Sequence, residues 1–167
     1  MGWFSKDIQS MDALFVHTLR DIYYTEHQIL KALPIMLRKT SDATLKQEFE
    51  DHLRETHTHV QRLNQVFELY GVAPQGANCP AIDGIITETN DITGEVEDAR
   101  VLDAALIAAA QAVEHYEIAR YGTLVAWAKQ FGRNDCATLL QQNLKEEIAA
   151  DKNLTAIAEN GVNQKAA

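Results

Sequence analysis

Four stretches of the chain carry apolar residues at alternating spacings of three and four, the pattern of a helix with one buried face. Between Met11 and Leu37 the stripe is Phe15, Leu19, Ile22, Glu26, Ile29 and Leu33. Between Ala43 and Tyr70 it is Leu45, Phe49, His52, Thr56, His59 and Leu63, with Glu55 beside it. From Asp103 to Gln130 it is Leu106, Ala110, Val113, Glu117, Tyr121 and Leu124, with Glu114 one turn earlier and His115 alongside. The fourth, from about Cys136 to Asn160, is Leu140, Leu144, Glu147, Asp151 and Leu154, with Glu146 adjoining. Each predicted helix therefore places an acid at mid-length on or beside its inner face. Burying an ionised carboxylate costs several kcal/mol unless it finds a partner. The core must supply something cationic: an Arg or Lys, a shared proton, or a metal.

Turn chemistry divides these helices into two hairpins, about 11–70 and 103–160. Ser10 or Asp12 can cap the first helix, and Pro34 falls inside it near its end. Thr40, Ser41 and Asp42 make a short turn and a new cap, and Gly71 stops the second helix. Residues 71–102 are a crossover: a loop, a short helix over Ala81 to Asn90, and an acidic run, DITGEVEDAR. That length spans a bundle, so the third helix should run parallel to the second, the topology of ferritin-like folds. Asn134 or Asp135 should cap the fourth helix, Gly161 should end it, and the tail VNQKAA should fray. Trp3 and Phe4 are expected to pack on the end of the bundle. A shift of 91 residues carries Glu26 onto Glu117, Glu55 onto Glu146 and Leu63 onto Leu154, so the hairpins read as an internal repeat. The expectation is a single all-α domain over 1–167, a four-helix bundle with a long crossover and a short extra helix.

Composition narrows the function. A formal charge of −9 argues against nucleic acid, which needs a basic face. The N-terminus MGWFSKDIQS has no charged region followed by an apolar core, and no stretch is apolar enough for a spanning helix. Cys79 and Cys136 stand far apart without CxxC spacing, which fits free thiols in a reducing cytoplasm. Val16, Ile35, Ile107 and Trp127 exceed what one inner stripe requires, so a homodimer is expected.

The acids agree in level. Glu26 and Glu55 lie about equally far from the first turn; Glu117 is level with Glu147, and Glu114 with Asp151. Oxygen-rich sets with a few imidazoles suit iron or manganese. Glu26, Glu55, Glu117 and Glu147 should converge, with Glu114, Glu146, Asp151, His52 and His59 as further candidate metal ligands. The cofactor expected is a pair of iron ions, or manganese. The Glu-x-x-His spacing common in di-iron bundles is missing: Glu55 is followed three residues later by Thr58, and the fourth helix has no His. The competing reading is a metal-free network in which these acids are satisfied by Tyr23, Tyr24, Tyr116, Tyr121, Arg120 and the histidines. His17, His27 and His57 are expected at the surface or in packing.

The segments DALFVHTLRDIYYTEHQILKALP, HLRETHTHVQRL, CPAIDGII, DAALIAAAQAVEHYEIARYGTL and LKEEIAADKNLTAIA resemble the YciF-like stress proteins of bacteria over nearly the whole chain. The resemblance implies a ferritin-like bundle related in fold to rubrerythrin, in a family linked to stress responses without an established reaction. It also implies family acids at Glu26, Glu55, Glu114, Glu117, Glu146, Glu147 and Asp151, with His52 and His115 at shared positions; Gln can stand at the position of His59. The rubredoxin-type cysteine cluster of rubrerythrin is absent, so electrons would come from an unidentified redox partner. The functions expected are therefore an iron or manganese protein handling oxygen, peroxide or ferrous iron, or a non-enzymatic dimeric protective protein.

Overall fold

Ser10 starts the first helix by accepting the Ala13 N–H on its hydroxyl at 3.0 Å, satisfying one of the donors a helix start leaves free. The computed structural model describes residues 8–167; the expected packing of Trp3 and Phe4 lies outside them. Helix α1 spans Met11–Lys39 and runs on through Pro34. Asp42 then caps α2, Ala43–Tyr70, which ends on Gly71 at φ 78°, a left-handed conformation that glycine adopts without strain.

The crossover is more helical than the sequence suggests. Helix α3 covers Pro80–Glu95 rather than Ala81 to Asn90, with proline at its start, where a missing N–H costs nothing. Helix α4 is Ala99–Gln130, four residues longer at its start than expected, because Asp98 accepts the N–H groups of Arg100 and Val101 at 2.8 and 3.4 Å. Helix α5, Asn134–Ile157, follows Arg133; neither Asn134 nor Asp135 occupies the cap position. The tail is ordered helix. A π turn over Ala158–Val162 carries the chain past Gly161 into α6, Asn163–Ala166. Val162 is buried in the core and Lys165 pairs with Asp42 at 2.7 Å, which is why the end does not fray.

Asp103 shows the topology. Its carboxylate accepts from Ser41 N, Ser41 Oγ and Asp42 N at 2.8, 2.6 and 2.9 Å, joining the start of α2 to the start of α4. At the other end Arg133, beyond α4, donates to the Leu69 carbonyl at the end of α2. Helices α2 and α4 are thus parallel, across a crossover that traverses the bundle. Helix α3 lies along α1 and α4, tied to α1 by Tyr24 to Asp83 at 2.9 Å and Lys39 to Thr93 at 3.0 Å. Asp103 is only 3% exposed. Asp103→Ala strands three donors and should lower stability by about 3 kcal/mol, read as a lower urea midpoint with unchanged slope.

Two apolar clusters fill the bundle. One gathers Phe15, Leu19, Leu63, Phe67, Leu124 and Leu140 near the α4–α5 turn. The other gathers Ile29, Leu33, Leu45, Phe49, Leu106 and Leu154 near the α1–α2 turn. The buried glutamates Glu26, Glu114, Glu117 and Glu147 lie between them. Three of the four apolar residues assigned to a second face are absorbed inside the chain. Ile107 is buried, and Val16 and Trp127 pack against the core; only Ile35 stays exposed. Among the described residues no helix is long and apolar enough to cross a membrane.

Candidate metal centre

The layer between the two apolar clusters is built from inward positions spaced by whole turns. Glu114 and Glu117 stand three apart on α4, His52 and His59 seven apart on α2, and Glu26 and Glu147 face them from α1 and α5. Glu26, Glu117, Glu147 and His59 are fully buried, and Glu114 and His52 nearly so. They form two overlapping groups: His52, Glu114, Glu117 and Glu147, and Glu26, His59 and Glu147. Within each, one donor atom per residue lies within 4.8 Å of all the others. Glu147 belongs to both.

The contacts are close. His52 Nε2 is 3.3 Å from Glu114 Oε1, and His59 Nδ1 is 3.3 Å from Glu26 Oε1 and 2.9 Å from Glu147 Oε1. The other face of His59 is held from outside, with Nε2 2.8 Å from Glu146 Oε2. Arg62 braces Glu146 by donating to Oε1 at 3.0 Å, and also donates to Asn143 Oδ1 at 3.0 Å. Asn143 passes its amide to the Tyr121 hydroxyl at 3.0 Å, and Tyr121 donates to Glu26. A chain of side chains thus fixes the rim of the site, as supporting hydrogen bonds do around metal ligands. The inside is under-satisfied. Glu26 Oε2, His52 Nδ1, Glu114 Oε2 and all four carboxylate oxygens of Glu117 and Glu147 are buried without a hydrogen-bond partner. His59 Nδ1 is near its carboxylates but out of hydrogen-bond alignment.

Burial, and then the Glu147 charge, hold Glu114 and Glu117 well above the usual carboxylate range, and burial raises Glu26. Burial opposes ionisation of Glu147 too, but the close approach and charge of His59 outweigh it and its pKa is lowered. For His59 burial favours the neutral ring; the charge of Glu26 and the close approach of Glu147 and Glu26 outweigh that and lift it to about 11. His52 is pushed down by burial. Without a metal these shifts favour an imidazolium on His59 beside a charged Glu147, and drive Glu114 and Glu117 toward their protonated forms.

Six of the nine residues expected as ligands come together: Glu26, His52, His59, Glu114, Glu117 and Glu147. Glu146 touches the set through His59 from a half-buried position. Glu55 is not brought in. It is half-buried and lines a surface groove between α2 and α5 with Glu48, Arg54 and Thr58, while Thr56 takes the inward position. Asp151 is also outside, held by Gln111 at 3.1 Å and near His115 at 3.3 Å. Of the polar residues expected to satisfy a metal-free network, Tyr121 reaches the layer; Arg120 instead stacks on Tyr116. Asn143 and Arg62 were not anticipated. Asn143 could have been found from its place one turn before Glu147.

The family described as a domain of unknown function (DUF892) matches residues 10–167, and the chain belongs to it. It is 44% identical over 161 residues to Protein YciF of Escherichia coli (strain K12), covering 96% of this chain and 97% of that protein. The crystal structure of that E. coli stress protein superposes with a TM-score of 0.88 over 93% of this chain and 98% of the other. YcfI from Rhodopseudomonas palustris is 53% identical, with a TM-score of 0.90 over 93% and 99% of the two chains. A protein from Xanthomonas campestris pv. campestris, 22% identical with a TM-score of 0.71 over 90% and 93%, shares the fold.

Proposed function

We propose that this relative of the YciF stress protein holds two divalent ions, iron or manganese, in the Glu147-centred layer and handles oxygen, peroxide or ferrous iron. One observation carries the reading: two donor sets share Glu147, and their inner atoms are buried without partners. Four carboxylates and two imidazoles suit iron or manganese, and two divalent charges balance four carboxylates. Glu26 and His59 would serve one ion, His52, Glu114 and Glu117 the other, and Glu147 both. Bound there, such ions supply redox and Lewis-acid chemistry. Tyr121 and Asn143 orient Glu26, and Arg62 and Glu146 orient His59. The apolar clusters keep water from the ends of the layer.

Anaerobic titration of chelator-stripped protein with ferrous iron, and separately with manganese, should give two ions per chain by elemental analysis. Glu147→Gln should reduce the count to one or none while leaving the helical circular dichroism intact. Retention of no ion by the unaltered chain would overturn the reading. The other reading, a metal-free network with a protective role, is favoured by the imidazolium of His59 beside Glu147, which lets the empty layer approach neutrality. As the setting we propose a homodimer in the cytoplasm with a separate redox partner; exposed Ile35 and the free, buried Cys79 and Cys136 support the pairing and the reducing compartment.

A further inference from the structure

A cavity of about 150 Å³ lies between α1 and the crossover helix, reaching inward to the bundle. Ile29 of α1, Ile86 of α3, Leu106 and Ala110 of α4 and Leu154 of α5 form its walls. The exposed side chains of Lys31, Ile35 and Asn90 mark its mouth. The hydrogen bond from Lys39 to Thr93, both lining residues, joins α1 and α3 along its edge. Interiors normally pack without such space, and an apolar cavity of about this size holds a guest the size of one aromatic ring. At the inner end the lining changes character: His52 and Glu114 belong to it, and His52 Nδ1 and Glu114 Oε2 are buried without partners.

We propose that this cavity is a binding site for a small uncharged apolar molecule, a single aromatic ring or a short alkyl chain, delivered beneath α3 to the edge of the acidic layer. The walls come from both hairpins and the crossover, so the fold itself creates the space. The wall between mouth and inner end is apolar, and the charged lining residues Lys31, Lys39 and Glu48 stand at its edges, so an uncharged guest fits the middle of the cavity best. Lys31 at the mouth stays in solvent, so entry needs no ion pair to be broken. The site is a property of the empty chain and does not depend on the metal reading.

Toluene is the probe. Titrated into the full-length, metal-free chain with methyl groups observed by NMR, it should give shifts that saturate at one molecule per chain and are confined to Ile29, Ile86, Leu106 and Leu154. Ala110→Leu and, independently, Ile86→Phe fill the space from opposite sides and should abolish the plateau; Ile86 is half-buried, so its variant keeps the core. Shifts that grow without saturation, that map elsewhere, or that persist in both folded variants would overturn the site. The titration is repeated after adding ferrous iron. Absence of bound metal then counts against the metal centre alone, and absence of the toluene plateau against the cavity alone.

Discussion

Raising the pH of the metal-free protein from 6.5 to 9.5 should lower its melting temperature steadily, and loading it with ferrous iron or manganese should remove that decline. Across this range the unfolded chain holds no protons on Glu and loses the last of those on His by about pH 7.5. The folded chain keeps one on His59, raised to about 11 by its carboxylate neighbours, and is driven to keep others on Glu114 and Glu117, raised by burial and the Glu147 charge. The native state binds more protons, so stability falls with pH, by about 1.4 kcal/mol per pH unit for each proton retained. Below pH 6.5 two contributions oppose this. His52 is depressed and must stay neutral while the unfolded ring charges, and the depressed Glu147 and Glu146 lose their stabilisation as they protonate. The maximum should therefore fall near pH 5 to 6.5. Metal replaces the protons, so its affinity should rise with pH. Calorimetric scans across this range, with and without metal, check both slopes. A flat metal-free profile would show that the layer does not retain protons.

Glu117→Gln should make the metal-free protein more stable and the metal-loaded protein less so. Glu117 is fully buried and neither oxygen has a partner. At pH 8 the native state must hold a proton there that the unfolded chain has lost. An amide of the same shape removes that demand, worth about 2 kcal/mol. The gain should shrink to a small residue near pH 4.5, where the unfolded Glu117 is already about half protonated. With metal present the order should reverse, because a ligand binding only the native state stabilises it by about 4 kcal/mol at a thousand times its dissociation constant. The measurement is denaturant unfolding at pH 4.5 and 8 with and without metal. Destabilisation by Gln in the metal-free state at pH 8 would place Glu117 in the structural network instead.

The stripes of three-and-four spacing locate the four long helices and the acid on each, because a buried helix face writes its period directly into the sequence. They place Glu26, Glu117 and Glu147 together for the same reason. Glu55 stands apart from the two donor sets. It stands one position, about 100° of helix, before Thr56, and the stripe of Phe49, His52, Thr56 and His59 had already set which side turns inward. The internal repeat carried the same message, since it pairs Glu55 with Glu146 and both lie at the edge of the layer. The lengthened α3 and α4 were less legible, because their ends depend on the Asp98 cap and a polar run of low periodicity. Asn143 and Arg62 act through contacts between helices, which no spacing within one helix reveals.

The π turn at Ala158–Val162 is in effect one extra residue slipped into a helical rod, and its consequence is a matter of phase. Each added residue rotates everything beyond it by about 100°. Upstream, α5 turns Glu147, Ala150 and Leu154 inward; downstream, the offset lets Val162 reach the core and Lys165 reach Asp42. A chain one residue shorter at Gly161 would carry the same letters past the same point with the wrong side facing the bundle. The docking of α6 is thus set by counting as well as by the side chains that make its contacts.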